Sequence, residues 1–272
     1  ITFKVLDLAD LTVDGTMATG GAVCIVMMTH GANVWVAMLC AFLAGMLAGL
    51  ITGILHTCMG IPAILAGILT QLALFSINLR IMDKKANVAI NPDNYKLLVS
   101  LRNVKKVTIE NPIFVAAVFT IVVIALLYWF FGTEIGAAIR ATGYNQQMIR
   151  AQGVDTRITI ILGLLISNAL VALSGALIAQ NNGFADVGMG TGTIVIGLAS
   201  VIIGEVLFGT RSFKNCLISV VLGSVVYRIV IAAVLQMGMP PNDLKLFTAL
   251  LVAFALSLPL VKDKVGIRKA VK

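Results

Sequence analysis

Two arginines, Arg140 and Arg150, stand among amide side chains in residues 132–156, GTEIGAAIRATGYNQQMIRAQGVDT, between the apolar runs 112–131 and 157–179. A guanidinium is a planar fork of donors that meets a carboxylate through two parallel bonds. The chemistry on offer is recognition: contact with an acidic protein surface, with Ala141 and Ala151 allowing it to come close. Ala137, Ala138, Ile139, Ala141, Met148, Ile149 and Ala151 alternate with Arg140, Asn145, Gln146, Gln147 and Arg150. Helix formers run up to Arg140, Gly143 breaks the run, and a second short helical stretch follows. The spacing predicts a helix–turn–helix at a membrane surface, with each arginine on its own short helix. Such an element either anchors its neighbours at the interface or docks a soluble partner, and the rest of the chain favours docking.

Other chemistry finds little support. The chain holds no G-x-x-x-x-G-K-[ST] loop for nucleotide phosphates. It also holds no G-x-S-x-G, H-E-x-x-H or C-x-x-C, and its acidic residues are scattered singly, without a carboxylate pair for acid–base work. No enzyme, metal or cofactor is therefore expected. Cys24, Cys40, Cys58 and Cys216 lie in or at the ends of apolar runs and read as small hydrophobes rather than disulfides or zinc ligands. His30 and His56 sit at span ends, in structural roles. Asp14, Glu205 and Arg228 are the ionisable residues at membrane depth, where a lone charge is expensive. Glu205 lies about three residues, and Arg228 about thirteen, from the same side of the membrane, roughly 15 Å apart along the normal at 1.5 Å per residue. Arg228 is expected to meet backbone carbonyls or water rather than Glu205.

The elements that must position these residues are membrane helices. Hydrophobic residues make up 59% and charged residues 12% of the chain, and the mean hydropathy is +1.01. A soluble domain carries roughly 25% charge, so the composition is that of a polytopic membrane protein. The net charge of +8 then follows from lipid and loop topology, and nucleic acid is not expected as a partner. Residues 1–8 read as the end of a helix whose earlier part precedes Ile1, and Thr12 and Asp14 as caps for the next. A span needs about 20 apolar residues, fewer where its ends are buried. About eight further spans then lie near 15–30, 33–57, 62–79, 112–131, 157–180, 193–208, 215–236 and 244–261. The short ones, 15–30 and 193–208, suggest helices that stop inside protein. One all-α transmembrane domain over 1–272 is expected.

Positive charge orients it. The tail 262–272, with Lys262, Lys264, Arg268, Lys269 and Lys272, belongs in the cytoplasm, and Arg140, Arg150, Arg157, Arg211 and Lys214 fall on the same side. The basic segment 80–111, with Lys84, Lys85, Arg102, Lys105 and Lys106, then lies outside, against the rule, and needs its own explanation. Within the helices Gly45, Gly49 and Gly53 recur every four residues, a stripe for close approach of another backbone.

Four stretches carry a specific resemblance: DLADLTVDGTMATGGAV, GIPAILAGILTQLALFSINLRIM, the GAAIRATGYNQQMIRAQGVD loop and GMGTGTIVIGLASVIIGEVLFG. They resemble permease subunits of binding-protein-dependent ABC importers, in the branched-chain amino acid and ribose permease-like branch that serves tryptophan, tyrosine or related solutes. The likeness covers nearly the whole chain and departs at the start, where that family has a complete first helix. It implies a type II importer-like bundle in the bacterial cytoplasmic membrane and a homodimer with the path between protomers. It further implies an ABC ATPase subunit beneath and an extracytoplasmic solute-binding lipoprotein above. Glu134, Arg140, Gly143, Asn145, Gln146, Arg150 and Gly153 would then form the coupling element toward the ATPase. Lys84, Lys85, Arg102, Lys105 and Lys106 would seat the binding protein. The rival readings are an ion-coupled carrier, which wants carboxylates at mid-membrane where only Glu205 comes near, and an importer for a sugar- or nucleoside-like solute. A scaffold without transport leaves the polar loop without a task.

Overall fold

The computed structural model describes residues 1–91, 95, 97–99, 111–209, 213–238, 246–250 and 252–253. Arg102, Lys105, Lys106, Arg211, the basic tail 262–272 and most of the span expected at 244–261 lie outside the described residues. The chain divides into two compact units, Ile1–Thr191 and Gly192–Lys272.

The first unit holds α1 (Thr2–Val5), α2 (Thr12–Thr29), α3 (Val34–Thr57), α4 (Ala63–Ile81), β1 (Asn87–Ala89), α5 (Pro112–Gly132), α6 (Glu134–Tyr144), α7 (Gln146–Ala151), α8 (Thr156–Asn182) and β2 (Phe184–Asp186). The second holds α9 (Thr193–Phe208) and α10 (Phe213–Gln236). Among the described residues α3, α4, α5, α8 and α10 are long and apolar enough to cross a membrane, and α9 is a shorter apolar helix. Their ends follow from local chemistry. Asn33, Asn111 and Asp155 accept from the backbone N–H groups of Trp35, Ile113 and Arg157, capping α3, α5 and α8. Gly183, at φ +77°, stops α8.

The core is built around α2. More than half of its residues are buried, so it needs no apolar face toward lipid. Gly20 of α2 lies against the Ala172 carbonyl of α8, and Gly175 of α8 against that of Met17. Gly45, Gly49 and Gly53 of α3 face Ala169, Leu165 and Ile161 of α8 in descending order, the geometry of an antiparallel pair. The glycine stripe is thus the seam between α3 and α8. The opposite face of α3 exposes Trp35, Leu39, Leu43, Leu47 and Ile51, and α5 exposes Ile113, Phe114, Ile121, Leu126 and Trp129, as lipid-facing surfaces do.

The structure corrects the reading of the N-terminus. α1 is one turn long, residues 6–11 are not helical, and Asp7 takes φ +52°. Neither Thr12 nor Asp14 caps α2: the Asp10 carboxylate accepts from the Thr12 N–H at 3.0 Å. Thr12 bonds Thr52, near the end of α3, and Thr16 bonds Asn168, twelve residues into α8. At 1.5 Å per residue that places Asn168 roughly 18 Å along α8. α2 therefore starts inside the bundle.

Two three-residue strands were not expected in an all-α chain, being too short to show alternation. β1 and β2 pair antiparallel, Asn87 with Asp186 and Ala89 with Phe184. They tie the segment after α4 to the segment after α8. Beyond β2 the Asp186 carboxylate accepts from the Gly188 N–H at 2.7 Å, and Gly190 packs on the Asp14 carbonyl.

In the second unit α9 and α10 pack antiparallel through small residues, Gly204 on Ser219 and Gly223 on Ser200. Glu205 is half-buried at the level of Ser219, while Arg228 is exposed nine residues further along α10. That is roughly 13 Å along the axis, so the two sit at different levels.

Candidate functional site

The polar stretch folds as α6 and α7, a pair of short helices at the end of the first unit where α5 stops and α8 starts. The Thr133 hydroxyl accepts from the Gly136 N–H at 3.3 Å and caps α6. Asn145 accepts from the N–H groups of Gln147 and Met148 at 3.0 and 3.1 Å and caps α7. The break falls at Asn145, not at Gly143, which stays helical inside α6. An asparagine side chain that caps the next helix ends the first one more firmly than a missing Cβ does.

One side of α6 is fastened on three fronts. Gly136 lies against the carbonyl of Phe130 at the end of α5, and Ile139 is fully buried. The Thr142 and Thr159 hydroxyls meet at 2.9 Å, joining α6 to α8. Gly143 lies against the Val5 carbonyl of α1, an approach no side chain would permit. A load applied to α6 therefore passes to three elements at once.

The other side is open. Glu134, Asn145 and Gly153 are exposed, Gly153 at φ +85°, and Gln146 is half-buried. The arginines divide. Arg140 is half-buried, and Arg150 is exposed but its Nε–H donates to Thr156 Oγ1 at 2.7 Å, so the guanidinium is drawn back onto the start of α8. The most exposed large apolar side chain of the pair is one the sequence reading passed over. Tyr144, the last residue of α6, is 95% exposed, with Met148 of α7 47% exposed and Ile135, at the start of α6, 54% exposed. An aromatic ring presented this way is the kind of group that anchors protein interfaces. A tyrosine directly ahead of the capping asparagine was the available signal.

At the opposite end of the unit, Lys84 and Lys85 are exposed in the turn after α4, where Asp83 and Lys84 take φ +53° and +63°. Asp14 is half-buried in the first turn of α2. Nδ1 of His30 and of His56 each bond a backbone carbonyl, Val26 and Ile61, at 2.8 Å. The four cysteines are free, and no group of three metal-ligating side chains occurs among the described residues.

The first unit is thus a bundle of apolar helices with a short helix pair at one end, fastened on one side and open on the other. The chain belongs to the family of branched-chain amino acid transport system permease components, whose profile matches residues 1–256. It is 41% identical to the tyrosine transport system permease protein of Clostridioides difficile, over 93% of this chain and 82% of that protein. An uncharacterised protein of Rickettsia prowazekii is 31% identical over 94% of this chain and 90% of its own length. The galactofuranose transporter permease protein of Escherichia coli is 28% identical over 89% and 69%. No solved structure matches the chain.

Proposed function

We propose that this chain is the transmembrane subunit of an ATP-driven importer in a bacterial cytoplasmic membrane. It passes an amino-acid-like, aromatic solute from an extracytoplasmic binding protein through a path formed with a second copy of itself. The observation that carries this reading is the α6–α7 pair: fastened on one side, open on the other, with Tyr144 projecting. An ATPase subunit seated there moves a body rigid enough to transmit displacement. The solute class follows the tyrosine relative, which is more similar than the galactofuranose one. In this orientation α6 and α7 face the cytoplasm and β1, β2 and the Lys84–Lys85 turn face outward. The basic tail 262–272 fits this orientation by the positive-inside rule, while the basic segment 80–111 runs against it and is assigned to seating the binding protein.

The test is purification of the full chain with its native partners. The isolated chain should hydrolyse no ATP, and a copurifying ATPase should give hydrolysis stimulated by binding protein loaded with tyrosine or tryptophan. Hydrolysis that stays with the purified chain, or uptake driven by an ion gradient without any ATPase, would overturn the reading.

The outer turn gives a second expectation. Lys84→Glu with Lys85→Glu should slow association of the binding protein by about tenfold at low salt, because like charges replace steering ones. The defect should shrink above physiological salt, where the Debye length falls below about 8 Å. Stopped-flow association rates over a salt series check this. A rate unchanged at low salt would remove these lysines from the docking surface.

A further inference from the structure

We infer that Asp10 is the positioning residue that carries movement of α6 into the helix bundle. The inference rests on the importer reading above. Its starting point is the irregular segment between α1 and α2. Gly143 of α6 lies against the Val5 carbonyl, and the Leu6 side chain, 2% exposed, packs on Gly163 of α8. The chain then turns through Asp7 and returns as Asp10, which is buried within the bundle at 4% exposure. Non-helical backbone at such depth is tolerated only where protein encloses it. It is also where a helix bundle can bend, since its ladder of backbone hydrogen bonds is interrupted.

The Asp10 carboxylate holds both ends of this bend. Oδ1 accepts from the Thr12 N–H at 3.0 Å, and Oδ2 accepts from Asn168 Nδ2 of α8 at 2.8 Å. Asn168 Oδ1 in turn accepts from Thr16 Oγ1 at 2.8 Å. The Thr12 and Thr52 hydroxyls meet at 2.8 Å, and the Thr52 hydroxyl donates to that of Thr70 at 3.0 Å. Six buried side chains thus join α2, α3, α4 and α8 to the segment that α6 presses upon. Thr142–Thr159 fastens α6 to the near end of α8 and Leu6 packs on Gly163, whereas the Asp10–Asn168 bond ties the α1 segment deeper into α8 by a polar contact. A displacement of the α1 segment relative to α8 therefore bears on this bond.

The chemistry of the bond supplies its own test. In Asp10→Asn the single amide oxygen serves Thr12, and the new NH2 group faces the NH2 of Asn168, donor against donor. In the double variant Asp10→Asn with Asn168→Asp, the new NH2 faces a carboxylate that also accepts from Thr16, so the bond is rebuilt with its polarity reversed. Transport and hydrolysis are measured together in proteoliposomes holding the complete importer, normalised to assembled complex. Asp10→Asn should lower solute moved per ATP by about tenfold, within the roughly 5–150-fold range of coupling between distant sites. The double variant should recover to within about twofold of wild type.

Normal solute per ATP in Asp10→Asn overturns the inference, as does a double variant that assembles and stays uncoupled. Should Asp10→Asn fail to assemble, Gly143→Ala decides. Its Cβ would push α6 off Val5 without touching the polar seam. The same uncoupling there supports the inference, and normal coupling overturns it. A wild-type complex showing no solute-stimulated hydrolysis would instead overturn the importer reading, a result these variants cannot mimic.

Discussion

Replacing Tyr144 with glutamate should separate the permease from its ATPase while leaving the membrane unit folded. The side chain is 95% exposed, so its removal disturbs no packing within the chain. Truncating an anchor of this kind costs about 2 kcal/mol or more of binding, at least a roughly 30-fold loss of affinity. Glutamate should do more than alanine, because a desolvated and unpartnered charge is added to the lost contact. Arg150→Glu should do less, since that guanidinium is already engaged with Thr156 and stands partly apart from the open face. Affinity of the ATPase for permease in detergent, measured alongside melting temperature of the permease alone, distinguishes the cases. Tight association retained in Tyr144→Glu would move the docking surface away from the end of α6.

Gly20→Ala should lower the stability of the first unit, and Gly197→Ala should raise that of the second. Alanine improves on glycine in a helix by about 1 kcal/mol, so propensity alone predicts gain at both. Geometry reverses the sign at Gly20. A Cβ there falls on the Ala172 carbonyl, with the Ala172 Cα 2.6 Å away, and backbone cannot swing aside as a side chain can. α2 and α8 must part, losing packing along their length at a cost of about 1–3 kcal/mol or more. At Gly197, inside α9, a Cβ meets nothing within 4 Å. Thermal unfolding of the two variants in detergent should therefore shift in opposite directions. Gly60 makes a poorer control: its surroundings are open, but its φ of +70° strains any side chain placed there.

The helices were legible because the bilayer imposes one length and because Asn33, Asn111 and Asp155 mark where they begin. Gly45, Gly49 and Gly53 were legible as a seam because a four-residue repeat of missing side chains has one geometric use, though nothing in it named α8 as the partner. Residues 6–11 were not legible as a bend at depth. Leu6, Leu8 and Leu11 beside Asp7 and Asp10 look like an ordinary surface connection. Only Asn168, far along the chain, turns the aspartate into a buried group. The open helix pair proposed as the coupling surface was half legible: composition marked the segment, but charge drew attention to Arg140 and Arg150 when exposure favours Tyr144. Exposure is a property of the packed helix pair, and alternation of residue types does not encode which of two faces is covered.

The bond between Thr16 and Asn168 spans 152 positions of sequence, and that between Asp10 and Asn168 spans 158. A ribosome adding about 5–20 residues per second delivers Asn168 roughly 8–30 s after Thr16. During that interval α3 and α4 arrive and can offer Thr52 and Thr70 to Thr12, but Asp10 has no amide to receive it. A carboxylate with only the neighbouring Thr12 N–H for a partner is costly to place in hydrocarbon. The nascent second helix must therefore wait in a watery or chaperoned place, and enter the membrane for good only when the eighth helix brings the group that completes it.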